Sequence, residues 1–257
     1  NIMIDNSRRD IMEQTNRSRR SVTMYHNNKV LIYHGSDHVI RTPVYCGGKD
    51  DNDYGNGFYT TEYEERAKSW AALNGNPSSS IVNKYELDLE NLRILDLAEF
   101  GVLAWIAEVV YNRGMIQEPA EILGRRIVEM YKVDTSSYDI IKGYRADDSY
   151  TQVIEAFLLN QINIAEVERL FYKGSLGNQI FLKSEKAFHQ IHWLESYETA
   201  YDIQYAEEDL RIRREVNKFM QGRMRAILMD GYTVPGVTAR YAVQKKLNYH
   251  KETDYYE

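Results

Sequence analysis

Three short segments of this 257-residue chain carry residue types suited to gripping a polar, planar ligand. The first is Leu31-Ile32-Tyr33-His34-Gly35-Ser36, an apolar run ending on a histidine and a glycine. A glycine there lets a ligand come close to the backbone, and its amide and carbonyl could hold a carboxamide. The plain alternative is a histidine at a strand end before a turn. The second is Tyr54-Gly55-Asn56-Gly57-Phe58-Tyr59, two glycines ahead of an aromatic pair. A tyrosine held rigidly after such a loop can stack on a flat ring. Adjacent strand residues face opposite ways, so one of Phe58 and Tyr59 is expected to plug the core. The third is Asn178-Gln179-Ile180-Phe181-Leu182, where an amide opens an apolar strand. At a strand mouth Gln179 could hydrogen-bond a sugar hydroxyl; the alternative is a solvated strand end.

Two further clusters have simpler alternative roles. Asp147 and Asp148 precede Ser149. They either supply charge to a site or are an acidic pair favoured by the dipole of a helix N-terminus. His189 and His192 stand near Glu195, but no partner cluster with zinc spacing accompanies them, and no metal site is expected.

The elements that must position these residues follow from periodicity and punctuation. A short strand starts at Lys29, and residues 46–57 form a glycine- and aspartate-rich loop. Thr61 followed by Glu64 has capping-box spacing and opens a helix that carries Ala67, Trp70 and Ala71 and stops near Asn74-Gly75. Residues 81–87 alternate as a strand, and residues 92–97 form another. Residues 100–111 and 121–131 have helical periodicity, and residues 138–141 are a short strand. Ser149 with Gln152, and Asn163 with Glu166, mark two more helix starts. Residues 179–182 form a strand, and residues 206–228 one long charged helix with Leu210, Val216, Phe219 and Ile227 as its apolar stripe. Trp70 and Trp105 are expected in the core. Short strands and helices without a regular alternation indicate an α+β fold.

Composition narrows the class. Hydrophobic residues make up 43% and charged residues 27%, as in an ordinary globular domain. A single cysteine, Cys46, excludes a disulfide framework and a cysteine zinc site within one chain. The polar, arginine-rich start has no secretory pattern, and no apolar run is long enough to span a bilayer. The expectation is therefore a cytoplasmic protein with no membrane partner. Charge is uneven: residues 1–28 carry net +2, residues 29–204 net −10 and residues 205–251 net +5. An acidic body is flanked by basic ends.

In this order and spacing, the three segments resemble the signature motifs of the ADP-ribosyltransferase superfamily in its His-Tyr branch. That branch includes diphtheria-toxin-like toxins and the poly(ADP-ribose) polymerases. More closely, the chain resembles a bacterial family of ADP-ribosyltransferase-like domains associated with toxin–antitoxin and phage-defence genes. The supporting residues are Tyr33 to Ser36, Asp53 to Tyr59, Ala67 to Trp70, Gly143 to Asp148 and Gln179 to Ala187. The resemblance implies a split mixed β-sheet core with surrounding helices, to which the sequence adds a basic C-terminal helix. It implies NAD⁺ as co-substrate and no metal. His34 would bond a ribose hydroxyl, Gly35 would hold the nicotinamide carboxamide, and Tyr59 would stack on the nicotinamide ring. The implied NAD⁺ site comprises His34, Gly35, Ser36, Gly57, Phe58, Tyr59 and Asp148, with His34, Tyr59 and Gln179 as the catalytic set. Fully active members usually place a glutamate at the position matching Gln179. Glutamine keeps the hydrogen bond but not the charge, which argues against chain elongation, and Asp147 or Asp148 could supply the carboxylate.

The expected organisation is an N-terminal arm over residues 1–28, an ADP-ribosyltransferase-like domain over 29–200 and a helical extension over 201–257. The expected activity is mono-ADP-ribosyl transfer from NAD⁺ to a protein or nucleic acid, as a toxin or phage-defence effector with a possible antitoxin or chaperone partner. Two alternatives stand beside it. One is a module that binds NAD⁺ or ADP-ribose without turnover, and the other is an RNA-directed enzyme of the same fold.

Overall fold

Alternating apolar residues in β1 (Lys29–Ser36) and β3 (Ile81–Asp88) bury one face of an antiparallel pair, which β7 (Ile191–Glu198) extends to three strands. A second sheet has the order β2 (Phe58–Thr60), β6 (Asn178–Leu182), β5 (Ile140–Tyr144), β4 (Ile94–Asp96). Its first two pairings are antiparallel and the β4–β5 pairing is parallel. This architecture comes from a computed structural model that describes residues 28–74, 80–114, 119–145, 148–173, 178–199 and 203–247. Residues 1–27, most of the N-terminal arm, lie outside the described residues, as does Asp147.

The described residues also form eight α-helices. They are α1 (Glu64–Asn74), α2 (Gly101–Asn112), α3 (Glu121–Tyr131), α4 (Asp148–Leu158), α5 (Ile164–Lys173), α6 (Glu185–His189), α7 (Ile203–Asp230) and α8 (Ala239–Lys245). The fold is therefore α+β, as the sequence indicates, and its second sheet is mixed.

Strand alternation sends the apolar residues of the second sheet to two cores. Ile140, Ile180 and Leu182 meet Val30, Ile32 and Tyr85 of the first sheet. Ile141 and Phe181 face the opposite way, into a larger core with Trp105, Ile154 and Val167 from the helices. Trp70 and Trp105 are both buried, as expected. Among the described residues, one antiparallel bridge joins the backbones of the two sheets, between Tyr33 and Thr61.

Several boundaries differ from the expected ones. Asn163 and Glu166 form the expected capping box: each side chain accepts the other's backbone N–H, at 2.9 and 3.0 Å. Thr61 does not cap α1. Its hydroxyl accepts from Tyr63 N–H at 3.2 Å, and the helix starts at Glu64. The fourth helix begins at Asp148, so Ser149 lies within it. Of the expected stripe on α7, Val216 is buried while Leu210 is 50% exposed.

Candidate active site

The site is built where the two sheets part. Tyr33 donates its N–H to Thr61 O at 2.8 Å and accepts from Thr61 N–H at 3.0 Å, so both polar groups of Tyr33 face β2. Residues two apart in an antiparallel strand turn their polar groups to the same side. Gly35 therefore aims its N–H and carbonyl toward β2 and away from β3. Continued antiparallel pairing would place Gly35 opposite Tyr59. The bridge at Tyr33 is isolated, however, and at Gly35 and Tyr59 the strands separate.

His34 occupies the start of this split. Its Nδ1–H donates to Tyr59 O at 2.7 Å, and its ring lies 4.7 Å from that of Phe58. Because a carbonyl can only accept, this bond fixes the tautomer and leaves Nε2 as an acceptor. Burial lowers the His34 pKa from its ordinary 6.5 and outweighs the opposing effect of the Tyr59 carbonyl. The ring is held neutral.

Gly35 is required here by packing as well as by its backbone direction. A Cβ added to it would lie 2.0 Å from Ala67 O and 2.6 Å from Ala71 N, both in the backbone of α1. That helix crosses directly over the end of β1. It carries Trp70, whose face is covered by the Arg145 guanidinium 5.1 Å from the ring centre.

Tyr59 is half-buried and extends from β2 toward the helical core. Its ring lies 4.7 Å from Phe181 and stacks at 6.3 Å on Tyr54. Its hydroxyl donates to Gly55 O at 2.7 Å and accepts from Tyr54 N–H at 3.0 Å. The hydroxyl thus staples the glycine loop, and burial raises its pKa, so it stays protonated. Phe58 is the aromatic that plugs the core, against Tyr85 and Phe188.

Gln179 is 3% exposed and sits two residues from Phe181, the register partner of Tyr59. Its Nε2 donates to Asp53 Oδ2 at 3.1 Å. Asp53 is also 3% exposed and pairs through Oδ1 with Arg113 Nε at 2.6 Å. Asn112, one residue earlier, donates to Asp53 O at 3.2 Å and to Glu108 Oε1 at 2.9 Å. The neighbouring Tyr54 hydroxyl donates to Tyr144 O and accepts from Trp105 Nε1–H at 3.0 Å.

The structure thus brings His34, Gly35, Phe58, Tyr59 and Gln179 together across β1, β2 and β6. Ser36 stands beside them, but its hydroxyl is committed to its own loop: it donates to His38 O at 2.6 Å and accepts from Asn83 at 2.9 Å. Gly57 has a packing reason, since an added Cβ would lie 2.4 Å from both Leu182 O and Phe181. Asp148 opens α4, the place its helix-dipole alternative requires, and its side chain lies outside the described residues. Asp53, Arg113 and Asn83 belong to this architecture and escape sequence reasoning. Only the acid–aromatic–glycine pattern ahead of Gly57 pointed toward Asp53.

Among the described residues no three His, Cys, Asp or Glu side chains gather as a metal site. No described helix is long and apolar enough to cross a membrane. A groove of about 630 Å³ runs along α7, lined by Lys218, Phe219, Arg223 and Tyr232 among others. It contains none of the expected site residues.

A family described as "Protein of unknown function (DUF3990)" matches residues 30–193. The chain belongs to the DUF3990 family. No curated protein and no solved structure matches it. The DUF3990 match contains the whole second sheet, β3 and nearly all of β1, with His34, Asp53, Tyr59 and Gln179, but only the start of β7, and α7 and α8 lie beyond it.

Proposed function

We propose that the chain binds NAD⁺ at the split between the sheets and transfers ADP-ribose to a macromolecular acceptor. The observation that carries this reading is the geometry at Gly35 and Tyr59. There an unpaired strand edge offers one N–H and one carbonyl, a complementary pair for a carboxamide, next to the Tyr59 carbonyl that holds His34 as a neutral acceptor. The ADP-ribosyltransferase resemblance assigns those groups to nicotinamide and its ribose.

In this reaction the bond between the ribose C1′ and the nicotinamide ring nitrogen breaks. Its electron pair goes to the ring, which loses its positive charge and departs as neutral nicotinamide. The cation left at C1′ is taken by an oxygen or nitrogen nucleophile of the acceptor, which then loses its proton. His34 Nε2 accepts from a ribose hydroxyl and fixes the sugar. Gly35 holds the carboxamide, and aimed dipoles stabilise the developing charge better than water does.

The test is calorimetric titration with NAD⁺ and with the analogue bearing a carboxylate in place of the carboxamide. A carbonyl facing that carboxylate repels it, so NAD⁺ is expected to bind at least roughly tenfold more tightly, a difference of about 1.4 kcal/mol. Incubation with labelled NAD⁺ and cell extract, followed by protease or nuclease, then identifies the acceptor class. Absence of NAD⁺ binding overturns the proposal. Binding without nicotinamide release selects the module that holds NAD⁺ without turnover.

A further inference from the structure

Gln179 stands where the resemblance leads one to expect a charged carboxylate, yet a carboxylate is present one hydrogen bond away. We infer that Asp53 is the positioning residue for Gln179, and that the pair together does what a glutamate would do alone; this rests on the NAD⁺ reading above. Two bonds define the arrangement. Gln179 Nε2 donates to Asp53 Oδ2 at 3.1 Å, and Arg113 Nε donates to Oδ1 at 2.6 Å.

An ionised carboxylate only accepts. Gln179 must therefore turn its NH₂ toward Asp53 and its carbonyl oxygen Oε1 the other way. An unrestrained amide could present either end to a ribose; this one presents an acceptor, as a glutamate would. Donation to a carboxylate also draws electron density onto Oε1, because linked hydrogen bonds polarise one another in a low-dielectric site. Part of the Asp53 charge is thus felt at the sugar without a second carboxylate in the cleft.

The carboxylate is held from several directions. Asn112 binds the Asp53 carbonyl at 3.2 Å, and Arg113 follows it at the end of α2. On the other side, Tyr54 is locked by Tyr144 and Trp105. Both Asp53 and Gln179 are 3% exposed, so water does not compete strongly for either end of the bond. Arg113 compensates the buried charge, which would otherwise be costly.

The experiment exchanges the two groups. D53N, Q179E and the double variant D53N/Q179E are compared with the wild type for melting temperature, NAD⁺ dissociation constant and rate of nicotinamide release. D53N frees the amide to flip. Its release rate is expected to fall roughly 10- to 100-fold, the range for a misplaced catalytic dipole, with its dissociation constant within about threefold, since the remaining NAD⁺ contacts are untouched. Q179E sets two buried carboxylates face to face and is expected to melt below the wild type, more so at pH 8 than at pH 5, because one carboxyl then keeps its proton. The double variant restores one carboxylate and one amide, and is expected to recover both melting temperature and release rate relative to either single variant. If D53N alone does not fold, the double variant measured against Q179E carries the test.

A wild type that neither binds nor cleaves NAD⁺ overturns the functional reading. A wild type that does, accompanied by a D53N variant with unchanged release, overturns the inference alone. So does a Q179E variant as stable as the wild type, or a double variant no better than either single one.

Discussion

His34 shows how one hydrogen bond converts a titratable residue into a fixed acceptor. Its Nδ1–H is used by Tyr59 O, and burial keeps the ring neutral. A histidine whose pKa is lowered in the folded state binds fewer protons there than in the unfolded chain. Its contribution to stability is thus complete above the ordinary 6.5 and declines as pH falls below it. Denaturation at pH 7.5 and pH 5.5 is expected to show a larger loss for the wild type than for His34→Gln, which keeps a donor to Tyr59 but does not titrate. Equal losses would mean that His34 is protonated as readily in the fold as in water. Tyr59 combines two roles that substitutions can separate. Tyr59→Phe removes the hydroxyl that serves Gly55 and Tyr54, and is expected to cost about 1–3 kcal/mol of stability. Tyr59→Ala removes the ring as well and is expected to weaken NAD⁺ binding more than Tyr59→Phe does. Calorimetric titration of both, below their melting temperatures, decides whether the ring is the binding element; equal weakening excludes stacking.

The elements were legible to very different degrees, and the reasons are local. The first strand, the helices over 101–112 and 121–131 and the capping box at Asn163 follow from period and punctuation. The three-residue β2 is too short to show a period, although it carries Tyr59. The seventh strand is hidden by a bulge. Between the Tyr85–Trp193 and Lys84–Glu195 pairs, Leu194 is an extra residue, 44% exposed, and it breaks the alternation that identifies a strand. Asp53 and Gln179 lie 126 residues apart, so their hydrogen bond leaves no local trace. The meeting of β1 with α1 could be anticipated only in part. Glycine at position 35 suggested a close approach, but the partner is the Ala67 carbonyl, not only a ligand. Gly35→Ala is expected to push α1 off the end of β1 and to cost about 1–3 kcal/mol or more, measured by urea denaturation. A variant as stable as the wild type would show that α1 can move away freely.

At the scale of the whole molecule, the C-terminal helices are both structure and surface. Val216, Val237, Ala239 and Ala242 are buried in the main core. The Tyr131 hydroxyl donates to Ala242 O at 3.0 Å, and Ile164 N–H donates to Val237 O at 2.8 Å. Removing residues 203–257 would therefore expose the core and confuse loss of function with loss of fold. The basic character of this region is better tested on its exposed face. Residues 211–229 of α7 carry six Lys/Arg against one Glu, and residues 29–204 carry net −10, so a macromolecule with negative charge would meet attraction along that stretch of α7 and repulsion over much of the body. Such steering weakens as salt screens it, over about 8–10 Å at physiological ionic strength. Arg214, Lys218 and Arg225 are exposed on α7 and lie outside the proposed NAD⁺ site. The triple variant R214E/K218E/R225E lowers the local charge by six without touching a buried residue. It is expected to leave nicotinamide release in the absence of acceptor within about twofold of the wild type. Transfer of label to the acceptor is expected to fall roughly tenfold at 50 mM salt, with the difference narrowing at 300 mM as the charges are screened. Transfer that is unchanged at low salt would mean that the acceptor approaches from another face, and that the cations of α7 serve only to keep a long helix solvated.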